Sequence, residues 1–287
     1  MTGNRKASVL NRLREAAGRL RRSPPLRPLE PLWRRLQPLW DAVLARLTRA
    51  SGIEVTINGD RLRLTYAYGA RYARSGWEPR VHEAFTTTIE EGMTVADVGA
   101  HVGFFTLASA LRVGPSGHVV AFEPAPRTAE ILRSHVALNG LEDRIDVVEA
   151  LVGAEKGTAT LFVSGDTMSA SILRKALEEL SPQRFEEPIE GVVVPAWTLD
   201  GYCAAHGLSL DRVKIDAEGS ELLVLQGATE ILSSPAEILC EVHPDHLRIL
   251  GTSEDDLALF VRAYGREPVA IDEPNELGIY HVLLQSV

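Results

Sequence analysis

Residues 94–111 set the tightest limit on what this chain can fold into. Thr94-Val95-Ala96-Asp97-Val98 is a short apolar and β-branched run of the kind that forms a buried strand. Gly99 and Gly103 then bracket a tight turn, and Phe104 to Leu111 continues as a helix. Glycine lets the backbone turn sharply and lets a ligand come close to the main chain. The first turn of a helix also presents N–H groups that have no partner within the helix. A strand, glycine turn and helix in this order predict a nucleotide-type binding loop on an α/β sheet.

The spacing narrows the ligand. It is Asp97-x-Gly99-x-x-x-Gly103, with Ala100 and His101 inside the turn, not the Gly-x-Gly-x-x-Gly that accommodates a dinucleotide pyrophosphate. An acid two residues before the first glycine suits a ligand carrying a cation and hydroxyls. S-adenosylmethionine (SAM), with a sulfonium, an amino acid end, a ribose and an adenine, fits that description. A second strand pattern, Gly117 to Phe122, ends in Glu123-Pro124. In doubly wound sheets an acid at the end of the second strand hydrogen-bonds ribose hydroxyls. Glu123 lies about two dozen residues beyond Gly99, near the roughly 20 of the general fingerprint. Asp97, Gly99, Ala100, His101, Gly103, Glu123 and Pro124 are therefore the predicted cofactor-binding residues.

The rest of the chain alternates strand and helix patterns. A helix is predicted over 127–139, closed by Gly140, and a third strand over 144–151. Residues 157–163 and 191–195 are further strand candidates, separated by a polar and then charged stretch, 164–190, that reads as a lid or acceptor-binding insertion. Ser169 and Ser171 lie in that stretch. Thr198 or Asp200 starts a helix; Arg212 to Asp216 is the fourth core strand, followed by a helix to about Leu232. Ile238 to Val242 is a fifth strand ending at His243-Pro244, a helix follows over 255–264, and 267–271 and 278–284 are the last strands. Such alternation predicts a parallel, doubly wound sheet.

Ahead of the glycine turn, Ile53 to Tyr66 alternates around Asn58-Gly59, a strong hairpin signal. A helix is expected over 81–89. Residues 8–22 and the segment after Pro38 (Leu39, Val43, Leu44 and Leu47, with Trp40 beside them) have amphipathic helical spacing. The expected division is a basic helical extension, residues 1–50, and a catalytic domain, residues 51–287.

Charge separates those two parts. Residues 1–50 hold 12 Lys+Arg against 3 Asp+Glu, a local +9, and the remainder carries −18. An acidic body argues against a nucleic-acid substrate gripped through its phosphates. The basic extension either caps the catalytic domain or makes peripheral contact with an anionic membrane or a partner. No apolar run long enough to span a bilayer is present, and the two cysteines, Cys203 and Cys240, lack metal spacing. A reducing cytoplasmic location, with membrane association through residues 1–50, is the expectation.

Three segments together resemble a known family: Gly92 to Gly103, Ala121-Phe122-Glu123-Pro124, and Lys214-Ile215-Asp216-Ala217-Glu218-Gly219-Ser220-Glu221. This series is similar to that of the FkbM-type SAM-dependent methyltransferases over about residues 76–245, and the third segment is the most specific. The family's usual Asn in the first segment is His101 here. The resemblance implies a class I SAM-methyltransferase (Rossmann-like) fold, a doubly wound sheet of seven strands with the last antiparallel. It also implies O-methylation of a hydroxyl on a small molecule or glycan, such as a sugar, a polyketide or a lipid-linked acceptor.

Methyl transfer is an in-line displacement in which the enzyme aligns acceptor oxygen, methyl and sulfur. An alcohol is a weak nucleophile, so a base or a metal ion is expected to assist. Asp216, Glu218, Glu241 and His243 fall at the carboxyl ends of neighbouring strands, where open α/β sheets bind ligands. Asp216, Glu218 and His243 are the catalytic candidates. Three roles are open: His243 or Asp216 as general base, the acids as ligands of a divalent cation, or the acids as caps of the following helix. Glu221, inside that helix, reads as structural. Two other functions fit the same sheet: an NAD-dependent oxidoreductase, which the missing Gly-x-Gly-x-x-Gly disfavours, and a non-catalytic SAM-fold module.

Overall fold

The computed structural model describes residues 30–72, 76–163, 170–172 and 189–287. The helix expected over 8–22 and most of the 164–190 stretch, including Ser169, lie outside the described residues. Contacts divide the chain into two compact units. One holds the described residues up to Pro79 with Ser134–Leu141; the other holds Arg80–Arg133 and Glu142–Val287.

The first unit is built on helix α1 (Glu30–Thr48), the hairpin β1 (Ile53–Ile57) and β2 (Asp60–Leu64), and a short helix α2 (Tyr66–Tyr72). The hairpin turns where Asn58-Gly59 predicts it, with both residues at positive φ. Helix α1 begins well before Pro38 and runs through it. Its carboxyl half is anchored by buried Leu44 and Thr48 and by the Tyr66 hydroxyl, which donates to Asp41 Oδ1 at 2.7 Å.

The second unit holds a seven-stranded sheet. Its strands are β3 (Thr94–Val98), β4 (His118–Phe122), β5 (Ile145–Val148), β10 (Arg212–Ile215), β11 (Glu237–Val242), β12 (Arg266–Ala270) and β13 (Tyr280–Ser286). The order across the sheet is β12-β13-β11-β10-β3-β4-β5. Strands β5, β4, β3, β10 and β11 pair in parallel, while β13 is antiparallel to both neighbours, β11 and β12. This is the doubly wound α/β sheet with an antiparallel last strand that the family resemblance implies. The order reverses at β3, with β4 to one side and β10 to the other, so the crevice beyond β3 is the topological switch point where such sheets bind ligands.

The third strand stops at Val148 instead of Leu151, because the chain leaves the main sheet there. Leu151–Val152 forms β6, which joins β7 (Gly157–Val163), β8 (Ala170–Ser171) and β9 (Glu190–Trp197) in a separate four-stranded sheet of order β6-β9-β7-β8. Residues 157–163 and 191–195 are thus strands, as expected, but of a second, largely antiparallel sheet outside the doubly wound core. Leu161 and Val194 pack with Ala125, which sets this sheet beside the end of β4.

Helices α3 (Pro79–Thr86), α4 (Phe104–Val113), α5 (Pro126–Asn139) and α6 (Leu199–His206) follow the expected pattern, and Thr198 is the N-cap of α6, accepting from Gly201 N–H. The helix expected to run to Leu232 is two helices, α7 (Glu221–Gln226) and α8 (Thr229–Leu232). The break is held by Asp200, whose carboxylate accepts the N–H groups of Glu230 and Ile231 at 2.9 and 3.2 Å and so caps the second helix. A short helix α9 (Pro244–Ile249) follows β11 directly, before α10 (Glu254–Arg262). Val98, Val120, Ile215, Val224, Leu225 and Ile238 lie at the centre of the main core.

Candidate active site

The turn after β3 is made of left-handed positions. Gly99, His101 and Gly103 have φ of 79°, 50° and 93°. A Cβ on Gly99 would lie 1.8 Å from the carbonyl oxygen of Asp216, so the loops after β3 and β10 meet backbone to backbone. Histidine and asparagine enter the left-handed region more readily than most residues. That preference explains physically why His101 can stand where the resembling family has Asn.

The turn's N–H groups are committed inside the protein. Gly99 and Ala100 donate to the Phe122 carbonyl at 3.0 and 2.9 Å, Gly103 donates to Ala100 O at 2.9 Å, and His101 donates to Glu123 Oε2 at 2.8 Å. These four groups do not form a phosphate cradle, which favours a ligand recognised by carboxylates over a pyrophosphate.

Glu123 sits at the tip of β4, 6% exposed, with Oε2 on His101 N–H and Oε1 on Ala125 N–H at 2.9 Å. Each carboxylate oxygen keeps a further lone pair for a hydroxyl donor. Burial pushes its pKa up to about 7, against the two backbone N–H groups and with added push from Asp216 and Asp97. Pro124 follows half-buried, and Ala100 is buried beside the turn.

Asp97 lies under the turn instead of lining it. Its side chain is 1% exposed, and Oδ2 accepts from the Thr106 hydroxyl of α4 at 2.6 Å, which ties the strand end to the helix start. Oδ1 is buried with no hydrogen-bond partner. Burial raises its pKa, partly offset by Lys214. A positively charged ligand above the turn relieves such an acid, so the buried carboxylates of Asp97 and Glu123 fit the cationic, ribose-bearing SAM.

Asp216, Glu218 and His243 come together on the other side of the crevice. His243, at the end of β11 and 3% exposed, places Nδ1 2.7 Å from Glu221 Oε1. Its Nε2 faces Glu218 Oε2 at 3.6 Å and Glu241 Oε1 at 3.7 Å. His246 of α9 stacks on the His243 ring, centroids 5.3 Å apart and planes 6° from parallel. Glu218 sits at φ 48° in the loop after β10.

The three candidates have very different electrostatics. Burial opposes charge on His243, but the Glu221 hydrogen bond and the charges of Glu221, Glu218 and Asp216 outweigh it and lift its pKa to about 10. Burial would raise Asp216, but Lys214, at 3.1 Å from Oδ2, and His243 hold it at about 2. Glu218 keeps 45% of its side-chain surface open and lies 3.6 Å from His243 Nε2. Desolvation, reinforced by Asp216, Glu241 and Glu221 and opposed by His243, brings it to about 7.

Ligand atoms of Asp216, Glu241 and His243 lie within 4.8 Å of one another, a spacing that can suit a divalent ion. To ligate an ion, His243 would have to give up a ring proton, because an imidazolium has no lone pair for a metal.

Glu221, which the sequence reads as structural, belongs to the same cluster. A Glu in the first turn of a helix ordinarily serves as a cap, and Oε1 does accept Gly219 N–H at 2.8 Å. The same oxygen holds His243, and no spacing in one sequence reveals a contact across 22 residues. Lys214 did carry a signal. A lysine inside an apolar core strand needs a buried partner, and Asp216 lies two residues on, on the same face. Ser171 is 5% exposed in β8.

The chain is similar to known methyltransferases. The chain is 27% identical over 157 residues to "Methyltransferase sdnD" of Sordaria araneosa, an alignment covering 47% of this chain and 60% of that protein. Among solved structures, precorrin-6y C5,15-methyltransferase from Geobacter metallireducens GS-15 is 15% identical, covering 74% of this chain and 90% of that one, with a TM-score of 0.43. Cofactor-bound Rv0187 from MTB is 21% identical, covering 76% and 85%, with a TM-score of 0.42. Residues 97–268 match the methyltransferase FkbM domain, so the chain belongs to the FkbM family of SAM-dependent methyltransferases.

Proposed function

We propose that this protein transfers a methyl group from SAM to a hydroxyl of a small molecule or glycan, with Glu218 as general base. The observation that carries this reading is His243, at the end of β11, set between Glu221 at 2.7 Å from Nδ1 and Glu218 at 3.6 Å from Nε2, both of which follow β10 in the chain.

When bound, SAM supplies a methyl group made electrophilic by its sulfonium. Glu123 accepts the ribose hydroxyls, and the closed turn of Gly99, Ala100, His101 and Gly103 fixes the position of that carboxylate. Asp97, below the turn, favours positive charge above it. Among the acids, Glu218 suits proton transfer best. A base works most effectively when its pKa lies near the working pH, and Glu218 is held at about 7 while Asp216 is held at about 2. His243 is cationic at neutral pH and therefore does not accept the proton. Its charge, fixed by Glu221, keeps Glu218 ionised beside Asp216 and Glu241 and orients the carboxylate. Glu218 takes the acceptor's hydroxyl proton.

A small or glycan acceptor is supported by the net charge of −18 over residues 51–287, which disfavours a polyphosphate substrate. The test is a product assay with the full chain, SAM and a panel of sugars, polyketide alcohols, amines and RNA. S-adenosylhomocysteine release with an O-methylated product supports the proposal; methylation confined to nitrogen, carbon or RNA overturns it. SAM is expected to raise Tm where NADH does not.

A further inference from the structure

Helix α1 has two unlike faces. Asp41, Leu44 and Thr48 form the packed one, with Leu44 and Thr48 at 4% and 1% exposure. The other face carries Leu32, Leu36, Leu39, Trp40, Val43 and Leu47, all between 42% and 67% exposed. At helical spacing these six fall in one stripe about 100° wide. Arg35, Arg46 and Arg49, all exposed, line the edge of the stripe that lies away from Leu44. One exposed leucine needs no explanation, but an aligned row of large apolar side chains edged with arginine does.

Charge selects the occupant. Residues 1–50 as a whole carry +9 against −18 over the rest, and the helix that bears the stripe holds Arg34, Arg35 and Arg46 against Glu30 and Asp41, with Arg49 just beyond its end. A neutral apolar groove on a protein partner has no use for that excess, and a second copy of this helix would bring arginines against arginines. An anionic bilayer surface meets both features. Its phosphates pair with the arginines, its acyl boundary receives the leucines and valine, and Trp40 suits the headgroup level. Among the described residues, no helix is long and apolar enough to cross a membrane. The spacing and mixed character of α1 describe a helix that lies in the interface.

We propose that α1 docks this protein peripherally on anionic lipid, with the stripe from Leu32 to Leu47 entering the interface and Arg35, Arg46 and Arg49 on the phosphates. The inference is independent of the assignment of the methyl-transfer site. Docking of this kind confines the enzyme to a surface, where a lipid-borne hydroxyl acceptor is concentrated in two dimensions.

The experiment is co-sedimentation of the full chain with vesicles of phosphatidylcholine alone and of equal parts phosphatidylcholine and phosphatidylglycerol, at low and high salt. Expected are binding to the anionic vesicles only and weakening with salt. A combined Leu39→Gln, Val43→Gln, Leu47→Gln variant should lose binding by about tenfold or more with Tm nearly unchanged, since these side chains are at least half exposed. An Arg35→Gln, Arg46→Gln, Arg49→Gln variant should bind weakly and lose the salt dependence. Equal binding to both vesicle types, or undiminished binding by the leucine–valine variant, overturns the proposal. So does absence of vesicle binding together with a dimer, seen by sedimentation velocity, that the same variant dissociates.

Discussion

His243 Nδ1 lies 2.7 Å from Glu221 Oε1, and the Glu221 side chain is wholly buried. A carboxylate without solvent is stable here only because it faces a cation and a backbone N–H, so the pair locks both the ring orientation and its charge.

Replacing Glu221 by Gln should expose that dependence. The amide keeps the shape but not the charge, so the His243 pKa should fall from about 10 toward its ordinary value. Breaking a buried pair costs about 3–5 kcal/mol. Because the folded pKa is raised, the pair's contribution is fully present below 6.5 and fades as pH rises through about 10. Denaturant titration from neutral to alkaline pH should show the parent losing stability across that window and the variant already lower and flat.

Turnover should follow the ionisation of Glu218. Activity should rise as pH passes through about 7, where the carboxylate becomes a base, and decline near 10 as His243 loses its charge. Glu218→Gln should lower kcat by roughly 10²–10⁴-fold and leave the SAM dissociation constant nearly unchanged. A kcat in Glu218→Gln within a few-fold of the parent's would move the base to another group.

Glu123→Ala should weaken SAM by roughly 10- to 100-fold, from lost charge-assisted hydrogen bonds of about 1.5–3 kcal/mol. The buried carboxylate also has a stability signature. Its folded pKa is raised from 4.5 to about 7, so the native state holds the extra proton and stability falls as pH rises through that interval. Glu123→Gln should flatten this slope, and calorimetry with SAM should separate the two effects.

Gly99→Ala should damage the site without removing any polar group. The added methyl would meet the Asp216 carbonyl at 1.8 Å, at a backbone φ of 79° that alanine adopts poorly. A loss of about 3 kcal/mol or more is expected. Chemical denaturation should report it, and SAM should restore only part of the stability.

Chelation tests the cation alternative. Lys214 and the charged His243 already neutralise Asp216 and Glu241, so EDTA should leave turnover unchanged. A tenfold loss restored by Mg²⁺ would instead give these acids to a metal.

Much of this architecture was legible because it rests on local signals. Val95 to Val98 and Val213 to Ile215 are short runs, apolar but for Asp97 and Lys214, that read as buried strands, and Gly99 and Gly103 mark left-handed turns. Asp216, Glu218 and His243 were found together because strand ends in such a sheet converge. Contacts governed by tertiary packing were not readable. Asp97 has the spacing of a ligand contact but turns beneath the loop to Thr106. Leu151-Val152 has the composition of a core strand but pairs with Ala196-Trp197 in another sheet. Glu221 looks like any first-turn acid until β11 brings His243 against it. The exposed face of α1 carries the same pattern as a buried one, and periodicity alone does not say which side meets solvent.

The placement of β13 has a consequence for how the molecule matures. Among the described residues, strand β12 pairs only with β13, and β13 lies between it and β11. During synthesis the edge segment therefore emerges before the strand that must separate it from the growing sheet. Until Tyr280–Ser286 leaves the ribosome tunnel, β11 keeps an open border and β12 has nowhere to dock. Closure of that border waits on the strand that follows β12 in the chain, and a folding intermediate lacking it would present the β11 edge to chaperones.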